Sequence, residues 1–222
     1  MLLKYISRFV LKLIGWSSIN DQLLLTLQQH PKFVCVFSHS SYFDFCIMVL
    51  YKLAYPQYLN NMKTLINAYY FTIMGTFLQY VGGIPSSVDD KGGSVNRISD
   101  VLNQQQSFLF LISPKGSILR KEWKSGYYYI SKQLNIPIVA IGLDYETKSV
   151  KMGSIITTSD NEEDHIKNIL YTDLSQIVPL HPNQENMTIR HHNIYDVTVI
   201  SPLRLIVLVK CLFTPFMYYK FL

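Results

Sequence analysis

The stretch FVCVFSHSSYFDF, residues 33–45, decides how the chain is read. Phe33 to Phe37 form a short apolar run of the kind that makes a buried strand. The run leads into Ser38 and His39. Asp44 follows five positions after His39, and FDFCIMVLYKL then reads as an apolar helix. In open α/β sheets, ligand crevices form where strands end and helices begin. A histidine and an acid at that junction are therefore candidates for chemistry.

The same alternation continues outward from this stretch. TLIN (64–67) reads as a weaker strand, and AYYFTIMGTFLQYV (68–81) as a helix that is apolar nearly all round. Gly82-Gly83-Ile84-Pro85 reads as a turn. GSVNRISDVLNQQ is an amphipathic helix with Val95, Ile98, Val101 and Leu102 on one side, and SFLFLI (107–112) is a second strong strand. GYYYISKQL (126–134) is helical, IPIVAIGLDY (136–145) is a third strand, and NEEDHIKNILYTDL reads as an exposed helix. Strands alternating with helices predict an α/β domain with a largely parallel, buried sheet flanked by helices. The expected organisation is an N-terminal helical segment at 1–30, the α/β domain at 31–178 and a C-terminal extension at 179–222.

Composition narrows the class. Of 222 residues, 49% are hydrophobic and only 16% charged, with 16 tyrosines and 12 phenylalanines. That is ample material for a core, with some left for a lipid surface. The net charge of +5 would suit an anionic partner. The basic residues are scattered and no groove-reading motif appears, which argues against nucleic acid. The three cysteines, Cys35, Cys46 and Cys211, form no CxxC pair, so free thiols in a reducing compartment are expected. No histidine–cysteine cluster has ligand spacing, so no metal is implied.

Both ends point to a membrane surface. In MLLKYISRFVLKLIGW, Lys4, Arg8 and Lys12 form a basic stripe on a helix, while Leu2, Ile6, Phe9, Leu13 and Trp16 fall on another face. That is the pattern of an interfacial helix, with a helix packed on its own domain as the alternative. The tail SPLRLIVLVKCLFTPFMYYKFL is apolar but interrupted by Arg204, Lys210, Pro215 and Lys220, which favours half-immersion or packing on the domain over a clean span.

A five-residue separation across a strand-to-helix turn lets Asp44 fold back under the imidazole of His39. The acid would then accept from Nδ1–H and fix the tautomer, leaving the other nitrogen as a general base. The bland alternative makes Asp44 a helix cap and His39 a loop histidine. A second copy of the spacing, His191 to Asp196 in HHNIYD, has no apolar strand before it and reads as a solvated loop. No G-x-S-x-G elbow is present, so direct attack by a substrate hydroxyl is the simpler scheme.

In chain order come the strand–His-x-x-x-x-Asp–helix unit, GGIP, the strand–Ser-Pro-x-Gly-Ser unit at 113–117, the Trp123-x-x-Gly126-Tyr127 helix and IPIVAIGLDY. Over roughly residues 30–150 the chain resembles the PlsC-like glycerolipid acyltransferases, the lysophosphatidic acid acyltransferase type. The resemblance implies a PlsC-like fold and transfer of a fatty acyl group from a thioester to a glycerolipid hydroxyl. His39 would be the base and Asp44 its partner. The co-substrates would be an acyl-CoA or acyl-carrier thioester and a lysolipid-like acceptor, with no resident cofactor. The enzyme would be membrane-associated, on the cytosolic face.

Two of the family's motifs differ here. The third usually reads Pro-Glu-Gly-Thr-Arg, whereas this chain has Pro114-Lys115-Gly116-Ser117-Ile118. The second usually has an arginine shortly after the glycine turn, where this chain has Ser86, Ser87, Val88 and Asp89. Those arginines hold the acceptor phosphate, and neither valine nor isoleucine replaces a bidentate guanidinium. Lys115, Gly116, Ser117 and Arg120 are the candidate substrate-binding residues, with Lys91 and Arg97 as further sources of charge. Three readings stay open: an acceptor without that phosphate, compensation by these cations, or an inactive lipid-binding protein on the same scaffold.

Overall fold

The computed structural model describes residues 2–86, 93–116, 122–159 and 162–180. Two helices, α1 (Leu2–Leu13) and α2 (Asp21–Gln29), precede the first strand, β1 (Lys32–Phe37). There follow α3 (Tyr42–Ala54), the one-turn α4 (Pro56–Leu59), β2 (Met62–Asn67), α5 (Ala68–Tyr80), β3 (Gly83–Ser86) and α6 (Ser94–Asn103). The order continues through β4 (Phe108–Ile112), α7 (Gly126–Leu134), β5 (Ile138–Asp144), β6 (Ser149–Ile156) and α8 (Glu163–Ser175).

Among the described residues six strands form one sheet, in the order β3-β2-β4-β1-β5-β6. All neighbours are parallel except β5 and β6, which pair antiparallel. The expected α/β fold with a largely parallel, helix-flanked sheet is the fold observed. β1 lies between β4 and β5, with Val34 opposite both Phe110 and Ile138. A strand so placed is covered on both faces, which is why FVCVF is apolar at every position rather than at alternate ones.

Each face carries its own core. Val34, Val36, Phe110, Ile138 and Ala140 pack with α6, α7 and α8 through Leu102, Tyr127, Ile130, Ile166 and Leu170. Phe33, Cys35, Phe37, Leu111 and Val139 pack on the other face with Leu11 of α1, Leu23 of α2, and Ile47, Tyr51 and Ala54 of α3. Burying each of the large aliphatic side chains stabilises the fold by about 1.5–3 kcal/mol before chain entropy is counted.

This layering fixes where a site can form. The chain leaves β1 through α3 on one face to reach β2, and leaves β4 through α7 on the opposite face to reach β5. The connections diverge between the adjacent strands β1 and β4. The crevice at such a divergence, outside the carboxyl ends of the strands, is where open α/β sheets bind ligands.

Several local expectations change. GGIP is not a turn throughout: Gly83–Ser86 pairs with β2, Leu65 opposite Ile84. The turn is confined to Gly82, at φ +87°, where a Cβ would stand 2.2 Å from the carbonyl oxygen of Met62. Pro85 is tolerated because β3 is an edge strand and its missing N–H costs no ladder bond. Helix α8 is not simply exposed, since Ile166, Leu170 and Leu174 are buried. Helix α2 falls within the expected helical segment 1–30, whereas β6 was not expected from the sequence.

Helix α1 lies against α3 with Ser7 and Leu11 buried. The Nε of Arg8 donates to the Ala54 carbonyl at 3.0 Å, and its guanidinium lies 4.7 Å from the centre of the Tyr55 ring. The basic stripe therefore flanks the packed side. Leu2, Tyr5, Ile6, Phe9 and Leu13 are exposed, whereas Trp16 is buried and does not join them. No helix among the described residues is long and apolar enough to cross a membrane. The apolar tail, Cys211 and the His191–Asp196 pair lie outside the described residues.

Candidate active site

Strand β1 delivers Ser38 and His39 to the carboxyl edge of the sheet, and the chain turns at once into α3. Ser41 caps that helix, its hydroxyl oxygen accepting from the Phe43 N–H at 3.1 Å. Asp44, at the third helical position, completes a capping box by accepting the Ser41 backbone N–H at 2.8 Å.

The same carboxylate does more than cap. Its Oδ2 also accepts from the Ser40 N–H at 2.8 Å and lies 3.1 Å from His39 Nδ1. Its Oδ1 accepts from the Tyr145 hydroxyl at 2.6 Å. Asp44 is 1% exposed, so these four contacts replace water around a buried charge. The side chain of His39 is 26% exposed. With Nδ1 turned to the acid, Nε2 is the nitrogen free to exchange a proton with a ligand. The cap reading and the partner reading of Asp44 hold together.

The surroundings are aromatic. The His39 and Tyr42 rings meet edge to face with centres 6.5 Å apart. Tyr70, at the start of α5, has its hydroxyl raised above its ordinary value by burial, then by the charge of and hydrogen bond with Tyr42. Tyr69 stands beside Tyr70 and is exposed. These rings come from α3 and α5, which start at neighbouring places on the carboxyl edge.

Cys46, two residues beyond Asp44, is a free thiol. Burial and then the charge of Asp44 push its pKa up to about 11. It is protonated at neutral pH and unsuited to be a nucleophile. Burial likewise pushes the Cys35 thiol up. Among the described residues no three His, Cys, Asp or Glu side chains gather as metal ligands would.

Strand β4, the neighbour of β1, ends at Ile112 and runs into the turn Ser113–Gly116 at the same edge. Gly116 adopts φ +63°, a left-handed conformation that favours glycine. The Gly116 N–H donates to Ser113 O and the Lys124 N–H to Pro114 O, which hold the turn. Lys115 lies in this turn, next to the strand that carries His39. Ser117, Arg120 and Lys91 fall outside the described residues. Arg97 sits at the carboxyl end of β3, its guanidinium donating to Pro85 O at 3.0 Å. Around α7, Tyr127 and Tyr128 are buried in the core, Trp123 is half-buried and Tyr129 is exposed.

Tyr145, Tyr42, Tyr70 and the two serine N–H groups were not picked out from the sequence. The signal for Tyr145 was its place at the end of the IPIVAIGLDY strand. A family model described as Acyltransferase matches residues 18–144, more than half of the chain, from just before α2 to the end of β5. No curated protein matches the chain.

Proposed function

Because the chain belongs to the acyltransferase family, of the PlsC type, we propose that it is a membrane-associated O-acyltransferase. It moves a fatty acyl group from an acyl-CoA or acyl-carrier thioester to the hydroxyl of a lysolipid-like acceptor. The observation that carries this reading is the 3.1 Å contact between His39 Nδ1 and the buried Asp44 carboxylate at the carboxyl edge of the sheet.

His39 Nε2 takes the acceptor's hydroxyl proton as that oxygen attacks the thioester carbonyl. Asp44 stabilises the imidazolium that results. The carbon–sulfur bond then breaks, the leaving thiolate takes the proton from the imidazolium, and an ester and a free thiol remain. The scheme uses no metal ion and no resident cofactor. The high pKa of Cys46 supports direct attack over an acyl-cysteine route.

Lys115 and Gly116, with Ser117 and Arg120, would receive the acceptor beside β1. The exposed Leu2, Ile6, Phe9 and Leu13 face of α1 supports seating on a lipid surface. Free Cys35 and Cys46 support the cytosolic side.

The test is the purified full chain with acyl-CoA and a panel of lysophosphatidic acid, lysophosphatidylcholine and monoacylglycerol, read by lipid mass spectrometry. His39→Ala should lower the rate about 100-fold or more with folding intact, and His191→Ala should leave it unchanged. A wild-type chain inactive on the whole panel would favour an inactive lipid-binding scaffold, the outcome that Lys115 in place of the family's acid makes worth separating.

A further inference from the structure

Asp44 is itself almost wholly buried, so its two oxygens are met by protein donors rather than by solvent. Three donors converge on Oδ2: the Ser40 N–H, the Ser41 N–H and His39 Nδ1. All three come from the same turn of chain. They fix one oxygen, about which the carboxylate can still pivot. The other oxygen, Oδ1, accepts from the hydroxyl of Tyr145, 101 residues away. Two fixed oxygens, with Cγ tethered to the backbone, define the plane of the carboxylate, and that plane decides where the Nδ1–H of His39 must point.

Tyr145 is itself held from several sides. It follows directly on β5, the neighbour of β1. Its backbone N–H donates to Val178 O at 2.9 Å. Its ring meets Trp16 edge to face, centres 5.2 Å apart and planes at 87°. Trp16 is anchored in turn, its N–H bonded to Leu11 O and the next residue's N–H to Lys148 O. Burial, then the charge of Asp44 and the bond to it, raises the Tyr145 hydroxyl well above its ordinary value, so it stays a donor at any physiological pH.

We propose that Tyr145 is a positioning residue for the acyl transfer, acting on His39 only through the plane of the Asp44 carboxylate. This rests on the reading of His39 as the base. Tyr145→Phe keeps the ring on Trp16 and removes only the donor. With acyl-CoA and whichever panel acceptor the wild type uses, kcat should fall about tenfold, the order of one hydrogen bond to a charged group. KM for both substrates should stay within about twofold.

The decisive arm is a double-mutant cycle. In an Asp44→Ala background neither oxygen remains for the tyrosine to hold, so adding Tyr145→Phe should slow the enzyme no further. A residue that merely supports the fold would subtract its tenfold again. A second arm needs no activity. The Nδ1–H proton resonance of His39 should move in Tyr145→Phe, and a fluorine resonance from 3-fluorotyrosine placed at 145 should move on Asp44→Asn. The fluorine label retains ring and hydroxyl, so it serves even if the phenylalanine variant does not fold. Unchanged kcat in Tyr145→Phe, additive losses in the cycle, or resonances that ignore the partner's substitution would each overturn the proposal. Full activity in His39→Ala would instead overturn the base assignment and leave the resonance arm to judge the contact.

Discussion

Asp44→Asn tests the candidate site most sharply, because it changes charge at nearly constant shape. The amide oxygen can take the place of Oδ2 and keep the Ser40 and Ser41 N–H donors, which leaves the amide nitrogen facing Tyr145. The tyrosine hydroxyl can turn to accept from it. The helix stays capped. Replacing charged by neutral acceptors costs about 1–2 kcal/mol of stability, a drop in Tm of several degrees for a domain of this size. Catalysis should suffer more. Two unit charges at the observed 3.1 Å attract by about 5 kcal/mol at an effective dielectric near 20. At about 1.36 kcal/mol per decade, that sets a ceiling of about four decades in rate. Solvent reaches the imidazole, whose side chain is 26% exposed, so the expected loss is about 100- to 1,000-fold in kcat. The assay is steady-state transfer from acyl-CoA to the best panel acceptor, with Tm measured on the same samples. A folded variant within about threefold of wild type would refute the claim that the carboxylate stabilises an imidazolium.

Other expectations follow from the same structure. On vesicles, Lys4→Gln with Lys12→Gln should weaken binding to anionic bilayers by up to about 1 kcal/mol per cation and spare neutral ones, whereas Phe9→Glu with Leu13→Glu should abolish binding to both. Equal binding by all variants would mean that α1 does not seat on lipid. Lys115→Glu should cut transfer to lysophosphatidic acid about tenfold or more through Coulomb repulsion and leave monoacylglycerol within about threefold; a gain on the phosphate-bearing acceptor contradicts compensation by Lys115. Lys52 is buried, donating to Asn60 O and Met62 O, and burial followed by the charge of Lys63 lowers its pKa to about 8. The unfolded chain then binds more protons than the folded one between about pH 8 and 10, so the urea midpoint of the wild type should rise over that window, and Lys52→Met should lack the rise. Tyr51 and Tyr127, each pushed up to about 12 mainly by burial, add stability that is present below pH 10 and lost as pH climbs through 12, so the midpoint should fall there in both proteins.

The legible parts of the fold are those where local chemistry and tertiary environment agree. β1, β4 and β5 are buried on both faces and apolar at nearly every position, so the run itself signals a strand. Helix α7 has the expected bounds because Asn135 takes the left-handed cap at φ +50° and Pro137 follows. β6 gave no such signal. It is an edge strand with Ser149, Lys151 and Ser154 along it, paired among the described residues only with β5, and its burial does not alternate cleanly. β3 was hidden by Gly83 and Pro85, residues that mark turns in general but are tolerated at a sheet edge.

At the site, legibility follows sequence distance. His39 and Asp44 were readable because one turn of chain brings them together. Tyr145 was not, because its contact with Asp44 depends on β5 lying beside β1, and in a chain with 16 tyrosines its place at the end of a strand run is a weak mark. The capping box explains why Asp44 is placed so well before any substrate arrives. The Ser41 N–H that starts α3 and the Ser40 N–H beside it hold the carboxylate as part of making the helix, so folding α3 already orients the acid. A helix cap alone does not account for the choice of residue. Glutamate serves the third position of a capping box well, and its extra methylene would still reach the Ser41 N–H. It would also carry the carboxylate away from its present bonds to His39 Nδ1 and the Tyr145 hydroxyl. The shorter acid is the one that satisfies the helix and the imidazole from a single position.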